Sequence, residues 1–188
     1  MMSSAPLFRR VLGGFIEQTP ISVRRLHDRR GRALYRGEVV VERGTGRRAR
    51  CFAWMTGLPP AGSGPIEVEI VASDGHERWA RRIGGRTMRS ILWAPGFSWL
   101  LWELLGPVLF AYRLRVENGA IVWRVEKVRL LGVLPLPSRW FAGVEARESG
   151  GEGRYRFDVR AELPGIGLLV HYRGWLAVGA DDADRNPH

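Results

Sequence analysis

WARRIGGRTMRSILWAPGFSWLLWELLGPVLF, residues 79 to 110, carries four of the chain's eight tryptophans among clustered arginines and one isolated acid, Glu103. From Ile91 onward the run is long and apolar enough to raise the question of a membrane helix, which needs about 20 predominantly apolar residues. Pro95-Gly96 and Gly106-Pro107 break it twice, and Ser98 and Glu103 interrupt what remains. An acid near mid-bilayer costs about 2.5 to 3.5 kcal/mol, so a span is rejected. The segment is read instead as a strand, a turn at Ala94-Pro95-Gly96, a short helical stretch over 97–105, and a second strand after Pro107. A buried Glu103 carboxylate needs a partner, and Arg82, Arg86 and Arg89 are the candidates nearest in sequence.

Upstream, the chain starts helical. Ser4 is placed to cap a helix with Pro6 in its first turn, and Leu7, Phe8, Val11, Leu12 and Phe15 fall on one helical face. Gly13-Gly14 weakens it. A second helix is expected from Pro20 to about His27, capped by Thr19, with Ile21, Val23 and Leu26 for packing. His27 reads as a packing or hydrogen-bonding residue at a helix end.

From Leu34 the period becomes two. Glu38 to Arg43 and Arg47 to Met55 read as a hairpin around Gly44-Thr45-Gly46, and Ile66, Val68 and Ile70 alternate with Glu67 and Glu69. Strands follow over His76 to Ile83 and Thr87 to Trp93. Asn118-Gly119 between two alternating runs specifies a tight type I′ hairpin. Tyr155, Phe157, Val159, Ala161 and Leu163 alternate with Arg154, Arg156, Asp158, Arg160 and Glu162, giving one wet face and one dry one. The last long strand, Gly165 to Val178, sets Leu168, Val170, Tyr172 and Leu176 against His171, Arg173 and Trp175. Nine or ten strands in hairpin order after two short helices predict a mainly β (α+β) fold. The expected form is a strongly curved antiparallel sheet or calycin-like β-barrel, with Gly84-Gly85, Gly132 and Gly174 as points of sharp bending. The chain is read as one domain over 1–180 and an acidic, frayed tail over 181–188.

Composition narrows the function classes. Basic residues exceed acidic ones by ten, nearly all as arginine scattered through strands, which argues against nucleic acid and suits a mildly anionic ligand or a peripheral membrane contact. The single cysteine, Cys51, permits no internal disulfide and fits a reducing, cytoplasmic setting; it is expected as a buried strand thiol. No secretion signal is read at the N-terminus. His27, His76, His171 and His188 lack ligand spacing, so no metal and no cofactor is expected. Gly44-Thr45-Gly46-Arg47-Arg48-Ala49 has the spacing of a dinucleotide fingerprint, which requires a following helix; the strand-like Arg50-Cys51-Phe52-Ala53-Trp54 argues against it. A hydrolase would need a second acid at Glu103, and Asp158 and Glu145 are the acids considered, without any local constellation.

The ordered set Leu58-Pro59-Pro60, Trp79 to Arg86, Glu103-Leu104-Leu105-Gly106-Pro107, Leu134-Pro135-Leu136-Pro137, Phe157-Asp158-Val159 and Tyr172-Arg173-Gly174-Trp175-Leu176 resembles a bacterial domain of unknown function, the family numbered 4166, over nearly the whole chain. The resemblance implies a domain found alone or after a saccharopine-dehydrogenase-like, NAD(P)-binding domain, with no assigned activity, and a stand-alone member here.

Large aromatics recur along the strands: Phe52, Trp54, Trp79, Trp93, Trp123, Trp140 and Trp175. Turned into a barrel, they line a mostly apolar pocket; otherwise they fill a core. The first functional expectation is a barrel that binds a hydrophobic or amphipathic small molecule. Trp79, Trp123 and Trp175 would line its pocket, Arg86 and Arg173 would anchor the polar end, and Glu103 would hold those arginines. The second is an accessory domain for a separately encoded NAD(P)-dependent oxidoreductase, suggested by the resembling family. A third, general-base catalysis by Glu103 or Asp158, has the least support in the sequence.

Overall fold

Period-two alternation does close on itself. The computed structural model describes residues 5–96 and 98–179. Helix α1 (Leu7–Leu12), a 3-10 turn (Gly13–Gln18) and α2 (Ile21–His27) lead into β1 (Gly31–Arg43), α3 (Arg47–Met55) and β2 (Gly62–Ser73). Strands β3 (His76–Ile83), β4 (Arg86–Trp93), β5 (Leu100–Leu105), β6 (Val108–Glu117) and β7 (Ala120–Leu130) follow as a meander. A short β8 (Leu134–Leu136), a second 3-10 turn (Ser138–Phe141), β9 (Gly143–Gly151), β10 (Arg154–Leu163) and β11 (Gly167–Ala177) complete the chain. The sheet order is β6-β5-β4-β3-β2-β1-β11-β10-β9-β7, and β7 also pairs with β6. The ring is a closed ten-stranded antiparallel barrel, with β8 attached to β7.

Closure removes the edges that an open sheet leaves unpaired, and alternation then assigns each side chain to wall or lumen. On β2, Ile66, Val68 and Ile70 are buried, while Glu67 pairs with Arg36 and Glu69 with Arg32, both at 2.9 Å, on the outer wall. An outer wall of Arg–Glu pairs is the reverse of a transmembrane barrel, whose apolar residues face outward. No helix among the described residues is long and apolar enough to cross a membrane. Asn118 and Gly119 take φ 52° and 74°, as the predicted type I′ turn between β6 and β7 requires.

Strands β1, β3, β5, β7 and β10 run one way along the barrel and β2, β4, β6, β9 and β11 run back, so the turns and helices gather at two distinct ends. The N-terminal helices close one end. Phe8, Ile16 and Val23 are fully buried there, and the Phe8 ring stacks on His27 with centroids 3.6 Å apart. At the other end lie α3, the β3–β4 turn, the β7–β8 turn, the second 3-10 turn and the β10–β11 turn.

Several expectations are corrected. Arg47–Met55 is a helix and not the second arm of a hairpin. Both edges of β1 are occupied, by β2 and β11, so a strand here would have no partner, whereas a helix buries Ala49 and Ala53. The predicted helical stretch over 97–105 is instead β5, bonded between β4 and β6; Phe97 lies outside the described residues. A six-residue Leu-rich run is ambiguous by periodicity, and pairing decides it. Phe15 is 62% exposed and Ile16 takes the buried position, because Gly13 ends α1 and the tighter 3-10 turn rotates the face. Ile21 is also exposed. Thr19 makes no side-chain cap to α2; its hydroxyl donates to the Ile16 carbonyl at 2.7 Å. Ser4 as a cap and the tail over 181–188 lie outside the described residues. Cys51 is exposed on α3 and not buried in a strand. Of the proposed bend points, Gly84-Gly85 and Gly132 form turns at positive φ, and only Gly174 sits within a strand. A Cβ there would meet the Glu38 carbonyl oxygen at 2.1 Å, so β1 and β11 pack this closely only around glycine.

Candidate functional site

The barrel encloses a cavity of about 630 Å³. Its upper wall is apolar, formed by Leu105, Val108, Phe110, Leu136, Phe141 and Leu163 among others. These residues stand where β5, β6, β8 and β10 reach the open end. Phe52 and Arg48 of α3 and Trp140 of the 3-10 turn border the mouth.

Polar groups concentrate deeper. Arg81 of β3 lines the cavity. Its Nη1 donates to Ser90 Oγ at 3.0 Å, its Nη2 stands 3.5 Å from Glu103, and its guanidinium lies 4.7 Å from the Trp79 ring centroid. Burial works to lower the Arg81 pKa, but Tyr172, Glu103, Tyr155 and Glu148 together outweigh it and leave the guanidinium above its ordinary value, hence charged. Glu103 also receives the Tyr112 hydroxyl. Near the closed end, Glu148 stands 2.6 Å from His27 Nε2 and receives the Tyr155 hydroxyl. Trp79 donates its indole N–H to Glu77 at 2.8 Å, and burial pushes the Glu77 carboxyl up.

The three cavity phenols are held protonated. Burial, reinforced by Glu103, raises Tyr112 well above the phenol range. Burial, reinforced by Glu148, does the same to Tyr155, and burial pushes Tyr172 up to about 12. Each is therefore a hydrogen-bond donor at neutral pH. Trp123 lines the same cavity, is 4% exposed, and its buried indole N–H has no partner.

Of the three glutamates that line the cavity, the two deeper ones already have two partners each in the protein, Glu103 in Arg81 and Tyr112, Glu148 in His27 and Tyr155. The spare capacity is on the donor side, at Arg81 and Trp123. An apolar chamber with unspent donors suits the acceptor end of an amphipathic molecule.

Of the residues singled out from sequence, Trp79, Trp123 and Glu103 come together in the cavity. Arg86, Arg173 and Trp175 are not among its lining residues. Arg86 is exposed at the start of β4, on the open rim. Arg173 points outward and pairs with Glu42 at 3.1 Å. Trp175 shares that outer parity and packs under Arg154, 4.0 Å from the ring centroid. The partner of Glu103 is Arg81 and not Arg82, Arg86 or Arg89, because residues 77, 79, 81 and 83 of β3 face inward and Arg82 faces out to Glu67 and Glu69. That parity was legible once Trp79 and Ile83 were placed inside. Asp158 is outside the barrel, 2.8 Å from His171, and so is no partner for Glu103, whereas Glu145 does border the cavity. His27, Tyr112, Glu148, Tyr155 and Tyr172 were missed as site residues; the inward parity of the three tyrosines was readable on their strands, whereas His27 lies on α2 and Glu148 on β9, a strand not read from the sequence.

Among the described residues no three potential metal ligands gather. The dinucleotide-like GTGRRA segment is, after all, followed by a helix. The objection to it now rests on β1 and β2 being antiparallel, whereas the fingerprint works within a parallel strand-helix-strand unit.

No curated protein matches the chain. One solved structure, described as a "putative thioesterase II" from Thermobifida fusca YX, aligns over 78% of this chain and 79% of its own at 12% identity and a TM-score of 0.26, an overlap that carries no argument about fold or activity. A family model, "Domain of unknown function (DUF4166)", matches residues 20–176, which span β1 through β11; the chain belongs to the DUF4166 family.

Proposed function

We propose that the barrel binds one amphipathic small molecule, its apolar body toward the mouth and its acceptor end, a carboxylate or carbonyl, at Arg81 and Trp123. The observation that carries this reading is the indole N–H of Trp123, a residue that lines the cavity with Arg81 and whose N–H is buried without a partner. An unpaired buried donor costs about 1–3 kcal/mol, which a ligand oxygen recovers. The volume of about 630 Å³ lies within the range of small-molecule sites, about 300–1,000 Å³. The anchoring role assigned from sequence to Arg86 and Arg173 passes to Arg81.

The test is titration of delipidated protein with a fluorescent long-chain carboxylate, together with mass spectrometry of a solvent extract of the protein as purified. Saturable binding of one probe per chain, abolished by Ala161→Trp, which fills the cavity from β10, is the expected result. Absence of saturable binding to the wild type, with nothing in the extract, overturns the reading.

A further inference from the structure

Among the described residues eleven large apolar side chains are exposed, and they are unevenly placed. Phe15, Ile21 and Trp99 are at the closed end and Val40 and Ile91 on the wall; Phe52, Trp54, Leu131, Val133, Leu134 and Trp140 are all at the open end. Trp54 is 75% exposed, Leu131 72% and Val133 79%. These six come from three separate segments, α3, the β7–β8 turn with β8, and the second 3-10 turn, converging on the cavity mouth.

Helix α3 sorts its residues three ways. Ala49 and Ala53 are buried; Arg48, Phe52 and Thr56, spaced by four, border the cavity; Arg47, Arg50, Cys51 and Trp54 remain exposed. No acid occurs in α3, and Arg86 and Arg139 stand exposed on the same rim. Glu145 is the acid among the residues bordering the cavity at this end. Tryptophan interleaved with arginine, on a rim that is apolar between the charges, suits the boundary between headgroups and acyl chains of an anionic bilayer. Basic side chains near such a surface are drawn to it by its negative potential.

We propose that the open rim docks on an anionic lipid bilayer through Trp54, Phe52, Trp140 and the β7–β8 turn, with Arg47, Arg50, Arg86 and Arg139 on the headgroups, so that the cavity mouth faces the membrane. The proposal stands on the rim residues and holds or fails independently of what the cavity takes up.

The experiment is co-sedimentation of the full chain with vesicles of mixed phosphatidylglycerol and phosphatidylcholine, against phosphatidylcholine alone. In parallel, an environment-sensitive dye on Cys51, the chain's single cysteine, reports on the exposed face of α3. Expected are binding to the anionic vesicles that weakens with salt and a blue shift of the dye. Trp54→Ala should lose about tenfold in affinity, Arg47→Glu with Arg50→Glu more, and Trp99→Ala at the closed end nothing. No binding to anionic vesicles overturns the proposal. So does binding without a dye shift, an equal loss from Trp99→Ala, or a rim that self-associates or takes RNA in preference to lipid.

Discussion

Arg81 is the cation that the proposed reading sets beside Trp123 at the acceptor end of the ligand. It is the cation paired with Glu103 among the polar groups lining an apolar chamber, and its remaining N–H groups match a carboxylate. Arg81→Met should weaken binding of a long-chain carboxylate at least tenfold while sparing the corresponding hydrocarbon, and Arg86→Leu should leave both unchanged; calorimetric titration of the three proteins distinguishes these outcomes. The tyrosines give a test without a ligand. All four, Tyr35, Tyr112, Tyr155 and Tyr172, are raised, with burial as the largest cause. A phenol whose folded pKa exceeds its unfolded value of about 10 contributes stability that is present below pH 10 and is lost as pH rises through the folded value. Near pH 10 the native protein should therefore show little phenolate absorbance, where four ordinary phenols would be about half ionised. Between pH 10 and about 12, the value reached by Tyr172, stability to denaturant should fall, with the phenols ionising as the barrel opens.

At the scale of elements, the N-terminal plug and α3 separate what local pattern conveys from what it does not. Phe8 is fully buried against His27 and Trp123, whereas Phe15, on the same predicted face, is exposed. Phe8→Ala should cost about 3–5 kcal/mol by leaving a cavity under the barrel floor, and Phe15→Ala should stay within about 0.5 kcal/mol; urea denaturation of both variants checks the placement. Long alternating runs such as β10 and the Asn118-Gly119 turn were readable because period and turn chemistry agree. Arg47–Met55 and 97–105 were misread because runs of six to nine residues satisfy both periods. For α3 the choice was made by the lack of a free strand edge beside β1, a fact about distant β2 and β11.

For the whole molecule, ring closure ties the cavity to stability. A ligand that binds only the folded barrel stabilises it by about 2.7 kcal/mol when present at a hundred times its Kd. For a chain of this size that raises Tm by roughly 5–10 °C, at about 2–4 °C per kcal/mol. Thermal denaturation with and without a long-chain carboxylate should show that rise in the wild type and none in Ala161→Trp.

The sequence by itself determined a mainly β, antiparallel, strongly curved fold with two leading helices, because alternation of wall and lumen residues is a local signal repeated strand after strand. It pointed to Trp79, Trp123 and Glu103 at a pocket, but together with Trp175, Arg86 and Arg173, which are not among the cavity-lining residues. Only the tertiary structure decided that β1 pairs with β11 and β7 with β9, which turns the hairpins into a closed ring. It alone paired Glu103 with Arg81, made α3 part of the mouth, and gathered six exposed apolar side chains on one rim. Those outcomes depend on which strands become neighbours and at what register, and pairing between residues far apart in the chain leaves no periodic trace along it.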